Sequence, residues 1–219
     1  IGRSLSGRRS EFYLATKCGC SRSGERWTRD AVFGDLHRSL RRLKSDYVDV
    51  MQPHNPSVEA CESGGVVDSL VDMRDQGKVR WIGISTPLPY LPTYLSWGVF
   101  DVFQVPYSAL ERDHEGWITK AAEAGIGIVV RGGVAHGEPG VGKGDLARWA
   151  KFEDAKLDEL REAGESRTAL MLRHTLTHPH SNTNIVGTTN PDHLRENVEA
   201  MSRGPLSSDV YAEAQRRLT

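Results

Sequence analysis

Three clusters in this sequence hold side chains of the right type for chemistry. Cys18 and Cys20 could share a metal ion, but a closed tetrahedral site needs four ligands and no second cysteine pair exists, so reduced spectator thiols are expected. His174 and His178 stand four apart on an expected helix with His180 close behind. That spacing places two imidazoles on one helix face, as in helical metal motifs. No acidic residue sits beside His174 to complete a HExxH pattern, so polar residues at a helix C-terminus are expected instead. Gly137 to Lys143 satisfies the first seven positions of a phosphate-binding loop. Gly144, however, stands where that motif needs Ser or Thr to ligate magnesium, and Pro139 lies inside it, so nucleotide hydrolysis is not expected. No metal site is expected.

Lys17 and His54 end two of the apolar runs described next. By residue type alone each reads as a solvated or structural side chain.

Short runs rich in β-branched and aromatic residues recur at Phe12 to Thr16, Tyr47 to Met51, Val79 to Ile84, Val102 to Val105, Gly127 to Val130 and Asn184 to Val186; six strands are expected. Between them, Arg29 to Leu43 puts Val32, Phe33, Leu36, Leu40 and Leu43 on one helical face, and Val66 to Gln76 stops at Gly77. Helices are also expected at Trp117 to Ala124, stopping at Gly125, and at Ser166 to Thr177, stopping before Pro179. Another opens at Asn190, Pro191 and Asp192 and runs through Ala200, and a last one opens at Ser207 or Ser208. The opening IGRSLSGRR reads as the tail of a helix. Strands alternating with helices imply right-handed parallel βαβ units, hence a doubly wound sheet or a barrel. In either, ligands meet the C-terminal strand ends, followed here by glycine-rich or polar segments at Gly19 to Gly24, Asn55 to Gly65 and Gly132 to Gly144.

Composition narrows the partners. The 219 residues are 38% hydrophobic and 26% charged, with net charge -1; a single domain over 1–219 can bury a core without staples. The basic run Arg38 to Lys44 alternates with apolar residues as a helix face would, so nucleic acid is not an expected partner. No stretch approaches the roughly 20 apolar residues of a membrane helix, and no signal-peptide core opens the chain. Three cysteines, an odd and sparse set, suit a reducing compartment, and a cytoplasmic location is expected. The oligomeric state is not legible. Trp27, Trp81, Trp97, Trp117 and Trp149 are scattered; packing roles are expected for most, with Trp149 a candidate for a substrate loop.

Read in order, the strand ends are ATKCG, SLRRLKSDYVDVMQPHNP, GKVRWIGIST, FQVPYS, GIGIVVRGG and IVGTTNPDHLRENVEA. From about residue 2 to residue 200 this series resembles the aldo-keto reductase superfamily. The resemblance implies an α/β fold of the (β/α)8 TIM-barrel type, with six of eight βα units present, matching the third through eighth. The first two are expected to lie upstream of Ile1. Family barrels need about 250 residues, and loss of two strands would leave unpaired edges.

The resemblance implies a catalytic set of Asp, Tyr, Lys and His, of which Lys17 and His54 match the last two. The Asp and Tyr are expected upstream of Ile1. The implied reaction is NAD(P)H-dependent reduction of an aldehyde or ketone, in which hydride reaches a carbonyl carbon and the oxygen takes a proton, in the family from a tyrosine. A tyrosine of pKa ~10 needs an ammonium such as Lys17 beside it to exchange protons near neutrality. His54 would orient the carbonyl by hydrogen bonding.

For the cofactor, the resemblance implies that Ser85, Thr86 and Gln104 hydrogen-bond the nicotinamide carboxamide. The family usually stacks an aromatic residue from the seventh strand on the ring. Here Arg131 holds that position, and a guanidinium can stack on a ring or bind pyrophosphate. Gly187 through Asn197 matches the segment cradling the adenosine phosphate, with Thr188, Glu196 and Asn197 fitting best. Gly187 and His193 occupy positions where many relatives hold a 2′-phosphate with basic residues, so NADP is expected with NAD as the alternative. The loop Gly132 to Gly144 could fold over cofactor or substrate, or be a plain connection. A non-catalytic cofactor-binding relative is the competing reading.

Overall fold

The computed structural model describes residues 1–20 and 26–219; the end of the Gly19 to Gly24 segment therefore lies outside the described residues. Strands β1 (Ala15–Cys18), β2 (Val48–Pro53), β3 (Val79–Ser85), β4 (Val102–Pro106), β5 (Gly127–Arg131) and β6 (Thr183–Ile185) are hydrogen bonded in chain order. Their registers are parallel, including Lys17 opposite Gln52, Met51 opposite Ile82, Ser85 opposite Gln104 and Arg131 opposite Ile185. The chain forms two compact units, Ile1–Gln104 with Glu123–Gly127 and Val105–Ala122 with Ile128–Thr219.

In the first unit, helices α1 (Arg29–Leu43), α2 (Val58–Ser63), α3 (Val66–Asp75) and α4 (Leu91–Ser96) connect the strands. Period-two alternation splits the sheet into two faces. Cys18, Met51, Ile82, Ile84 and Phe103 share one face, each fully buried, and α1 and α3 contribute buried Val32, Leu36, Val66, Leu70 and Met73. The other face carries Lys17, Gln52, His54, Ser85 and Gln104 toward the C-terminal strand ends. A strand set apolar behind and polar in front positions a site while keeping its backing rigid.

The first strand starts later than its composition suggests, at Ala15 instead of Phe12. Side chains take the backbone groups a ladder would use: Arg9 donates to the Phe12 carbonyl at 2.9 Å, and the Leu14 amide donates to Asp49 Oδ2 at 2.7 Å. Asp49, wholly buried, also pairs with Arg9 and with Arg80 at 3.0 Å. The expected helix tail before it is a 3-10 helix, Ser6–Glu11, interrupted by non-helical backbone at Arg8.

α2 falls within the polar segment Asn55 to Gly65, and α4 in a stretch for which no helix is expected from the sequence. Ser57 caps α2 by accepting from the Ala60 amide at 3.2 Å, an N-cap arrangement that satisfies an otherwise orphaned donor. α3 ends at Asp75, with Gly77 at φ +71° turning the chain into β3.

In the second unit, α5 (Glu115–Glu123), α6 (Leu146–Asp154), α7 (Arg167–Thr177), α8 (Pro191–Arg203) and α9 (Ser208–Arg217) accompany β5 and β6. Trp149, Phe152, Leu157, Leu170, Met171, Leu206 and Ala214 form its main cluster. Trp149, a candidate for a substrate loop by sequence, is instead a core residue on α6, 3% exposed, its Nε1 donating to the Ala135 carbonyl at 3.2 Å. The caps follow the expected residues: Ser166 accepts from the Ala169 amide at 3.0 Å and Asn190 from the Asp192 amide at 2.9 Å. α8 continues past Ala200 to Arg203. Buried Arg173 on α7 ties the end of α8 down by donating to the Gly204 carbonyl at 2.9 Å, and pairs with buried Glu165, just before α7, at 2.8 Å.

Candidate active site

Lys17 stands one residue before the end of β1, where Cys18 anchors the strand in the apolar layer. The chain then turns at Gly19, φ +78°, whose amide donates to buried Asp35 Oδ2 on α1 at 2.8 Å. A Cβ at Gly19 would lie 2.0 Å from the Trp27 ring, so only glycine fits there. The turn holds Lys17 at the strand mouth. Its Nζ donates to Gln104 Oε1 at 3.0 Å, and Gln104 Nε2 donates to Ser85 Oγ at 3.2 Å. Lys17 lies on β1 and Gln104 on β4, so this polar chain reaches across the strands between them.

Ser85 and Gln104 are almost fully buried, at 0% and 3% exposure. Each is satisfied by the other, as buried polar groups must be. Thr86, also at 0%, donates its hydroxyl to the Pro87 carbonyl at 3.2 Å, and its amide donates to the Gln104 carbonyl at 3.2 Å. Thr86 therefore fixes the exit of β3, its hydroxyl engaged by backbone.

His54 follows β2, bridged to Ser85 and donating its amide to the Cys18 carbonyl at 3.1 Å. Its ring is exposed, and Nδ1 lies 3.3 Å from Cys20 Sγ. The structure thus brings Lys17, Ser85, Gln104 and His54 together on one strand-end face.

One residue on that face escapes the sequence reading. Gln52, opposite Lys17 and two before His54, is 1% exposed, and its Oε1 has no hydrogen-bond partner. Gly83 makes room for it: a Cβ there would sit 3.2 Å from Gln52 Cγ and 2.8 Å from the Val102 carbonyl oxygen. A buried acceptor left open on the strand paired with that of Lys17 is a group that a ligand's donor would satisfy. Its signal was present in the sequence, as a polar residue two before His54 in a strand whose other polar residue is Asp49.

Three tyrosines are committed elsewhere. Tyr47 Oη accepts from Arg80 at 3.2 Å, Tyr94 donates to the Pro56 carbonyl at 3.1 Å, and Tyr107 donates to Glu115 at 3.0 Å. Burial pushes the Tyr94 and Tyr107 hydroxyls well above the usual range. Tyr94 and Tyr107 are therefore not proton donors near neutrality.

The second unit holds the remaining expected cofactor residues. Arg131 ends β5, half-buried, with Nε lacking a hydrogen-bond partner; burial lowers its pKa and Glu111 opposes that. Gly187 and Thr188 are exposed in the β6–α8 connection, where Thr188 Oγ1 accepts from the Asn190 amide at 3.0 Å. His193, Glu196 and Asn197 are part-exposed on α8. Arg195, the one Lys or Arg from Val186 to Glu196, is ion-paired with Asp192. An unpartnered guanidinium donor and the capped N-terminus of α8 are groups that suit a phosphate, and the Gln104–Ser85 pair suits a carboxamide. Taken unit by unit, these groups have the chemistry that a carboxamide and a phosphate require.

The other chemical clusters resolve as structure. His174 is 2% exposed among Tyr107 and Tyr211, and His178 packs edge-on against Tyr107 at 5.2 Å. Among the described residues no group of three His, Cys, Asp or Glu is placed to hold a metal ion. In the loop Gly137 to Lys143 the amides of Gly142 and Lys143 donate to the Glu138 and His136 carbonyls, so they do not cradle an anion. No helix among the described residues is long and apolar enough to cross a membrane.

The sequence profile of the Aldo/keto reductase family matches residues 1–217. A Bacillus subtilis protein described as an uncharacterized oxidoreductase, YqkF, is 26% identical over 98% of this chain and 76% of its own length. L-galactose dehydrogenase of Arabidopsis thaliana is 24% identical over 89% of this chain, which spans 65% of that enzyme. The holo form of an aldo-keto reductase from Bacillus halodurans superposes with a TM-score of 0.84 at 27% identity, covering 99% of this chain and 76% of that one. The six parallel strands are thus part of a (β/α)8 fold, and this chain belongs to the aldo/keto reductase family of oxidoreductases.

Proposed function

We propose that the chain is an NAD(P)H-dependent carbonyl reductase, converting an aldehyde or ketone to an alcohol. The observation that supports this reading is the hydrogen-bonded chain Lys17–Gln104–Ser85 at the strand ends, with His54 bridged to Ser85. When bound, the nicotinamide dinucleotide supplies a hydride.

Gln104 and Ser85 have the donors and acceptors to grip a planar amide: Nε2 keeps a second hydrogen and Oε1 a second lone pair. Gripping the carboxamide orients the ring and makes transfer effectively unimolecular. Thr86 contributes by rigidifying that grip. Lys17 places an ammonium where negative charge develops on the substrate oxygen, and in the family-like set would draw down the pKa of a tyrosine donor. His54, exposed at the mouth, orients the carbonyl by hydrogen bonding. In the second unit we assign Arg131 to the dinucleotide, and Gly187, Thr188, His193, Glu196 and Asn197 to its adenosine phosphate end. NADP is the proposed cofactor. NAD is the alternative, favoured by Asp192 engaging Arg195 and by an Escherichia coli relative, 24% identical, described as an NADH-specific methylglyoxal reductase. The three free cysteines accord with a cytoplasmic location.

The test is oxidation of NADPH and NADH against a panel of aldehydes, with cofactor affinity measured separately by fluorescence. Turnover with either cofactor, lost on Lys17→Met, is expected. Binding without turnover would assign a non-catalytic cofactor-binding role, and failure to bind either cofactor would overturn the proposal.

A further inference from the structure

The proposed reduction leaves one reactive group at the strand ends without a role. Cys20 Sγ lies 3.3 Å from His54 Nδ1, and both residues are exposed. The other two cysteines are shielded, Cys18 at 0% and Cys61 at 1% exposure. Burial pushes both of those thiols up, Cys61 to about 11. The thiolate is the attacking form of cysteine, so these two are inert. Cys20 alone combines solvent access with a base. In the His54 tautomer that carries its proton on Nε2, Nδ1 accepts the S–H hydrogen, the arrangement that activates a thiol in cysteine–histidine pairs.

We propose that Cys20 is a covalent modification site for α,β-unsaturated aldehydes, activated by His54. The aldehyde is drawn to the same strand-end mouth as a substrate carbonyl, so this inference rests on the carbonyl-reductase reading. The Cys20 proton passes to His54 Nδ1 as sulfur forms a bond to the β-carbon of the alkene. The C=C π electrons shift toward the carbonyl to give an enolate, and His54 returns the proton to the α-carbon. The product is a thioether bearing a saturated aldehyde, and no oxidant or reductant is consumed. Because the adduct hangs on the residue beside His54, it occupies the carbonyl's place and switches off reduction of further substrate. Simple aldehydes would be reduced; unsaturated ones would also inactivate.

The experiment is incubation of the protein with crotonaldehyde, followed by peptide mass mapping against time. The reference is a free peptide spanning Cys20 in which Cys18 is replaced by Ser. A free thiol is a few per cent ionised at pH 7, so a fully assisted one should react about tenfold faster. One adduct is expected, on Cys20, at about ten times the peptide rate. His54→Gln, an exposed substitution whose folding circular dichroism verifies, should reduce it to the peptide rate. Cys20 reacting no faster than the peptide, an unchanged rate in His54→Gln, or adducts on Cys18 or Cys61 instead would each overturn the proposal. Loss of reductase activity should track the fraction modified, and Cys20→Ser should resist inactivation. A chain with no reductase activity at all refutes the carbonyl-reductase reading alone, since the adduct rates still decide this one.

Discussion

Replacing His174 by Phe should abolish much of the protein's acid sensitivity. His174 sits on α7 at 2% exposure, neither ring nitrogen has a hydrogen-bond partner, and the Tyr211 ring lies 4.9 Å away. Burial chiefly, then the charge of Arg112, lowers its pKa to about 4, against an opposing pull from Glu115. The folded protein therefore keeps this imidazole neutral, while the unfolded chain protonates it near pH 6.5. A depressed folded pKa means the stabilisation is fully present above about pH 6.5 and is lost as pH falls toward 4. The gap between those two values corresponds to roughly 3 kcal/mol, of which about 2 kcal/mol is lost by pH 5. Phe keeps an aromatic ring and removes the titration without orphaning a hydrogen bond. Urea unfolding of both proteins at pH 7.5 and pH 5 measures the difference, and the partly buried His114 and His178, also shifted down mainly by burial, cancel in the comparison. Equal loss of stability on acidification in both proteins would refute the reasoning.

Other substitutions test the site and its supports. Lys17→Met should lower turnover by about 10²-fold or more while leaving cofactor affinity within a few-fold, measured by steady-state kinetics and fluorescence titration. Gly83→Ala would press a methyl against the Val102 carbonyl and Gln52, so thermal unfolding should show a loss of about 1–3 kcal/mol together with weaker cofactor binding. Asp49→Ala would strand the Arg9 guanidinium and the Leu14 amide and should cost about 3 kcal/mol in urea unfolding, with kcat of the surviving fold unchanged because Asp49 lies at the opposite strand ends.

Much of this candidate site could be read before any coordinates. Lys17 and His54 stand at strand ends, and strand ends are where parallel αβ units present ligand groups. Ser85 and Gln104 were legible for the same reason. Gln52 was not singled out, because its role depends on being opposite Lys17 with a glycine beside it, and register between β1, β2 and β3 is not a local property. Thr86 shows the converse. Its residue type and position suit a ligand contact, yet the path of the chain at Pro87 gives its hydroxyl a backbone partner.

The sequence by itself determined the alternation of strands and helices, since periodicity, caps such as Ser166 and Asn190, and terminating glycines such as Gly77 act over a few residues. It also carried the family resemblance, which spans the strand ends in order. Only the tertiary structure decided what those residues touch. The link from Lys17 to Gln104 joins positions on β1 and β4, the closeness of Cys20 to His54 joins the segments that follow β1 and β2, and the neutrality of His174 comes from burial beside Tyr107 and Tyr211. Hydrogen bonds, proton affinities and nucleophilicity depend on distances of a few ångströms and on exclusion of water, and long-range packing sets both.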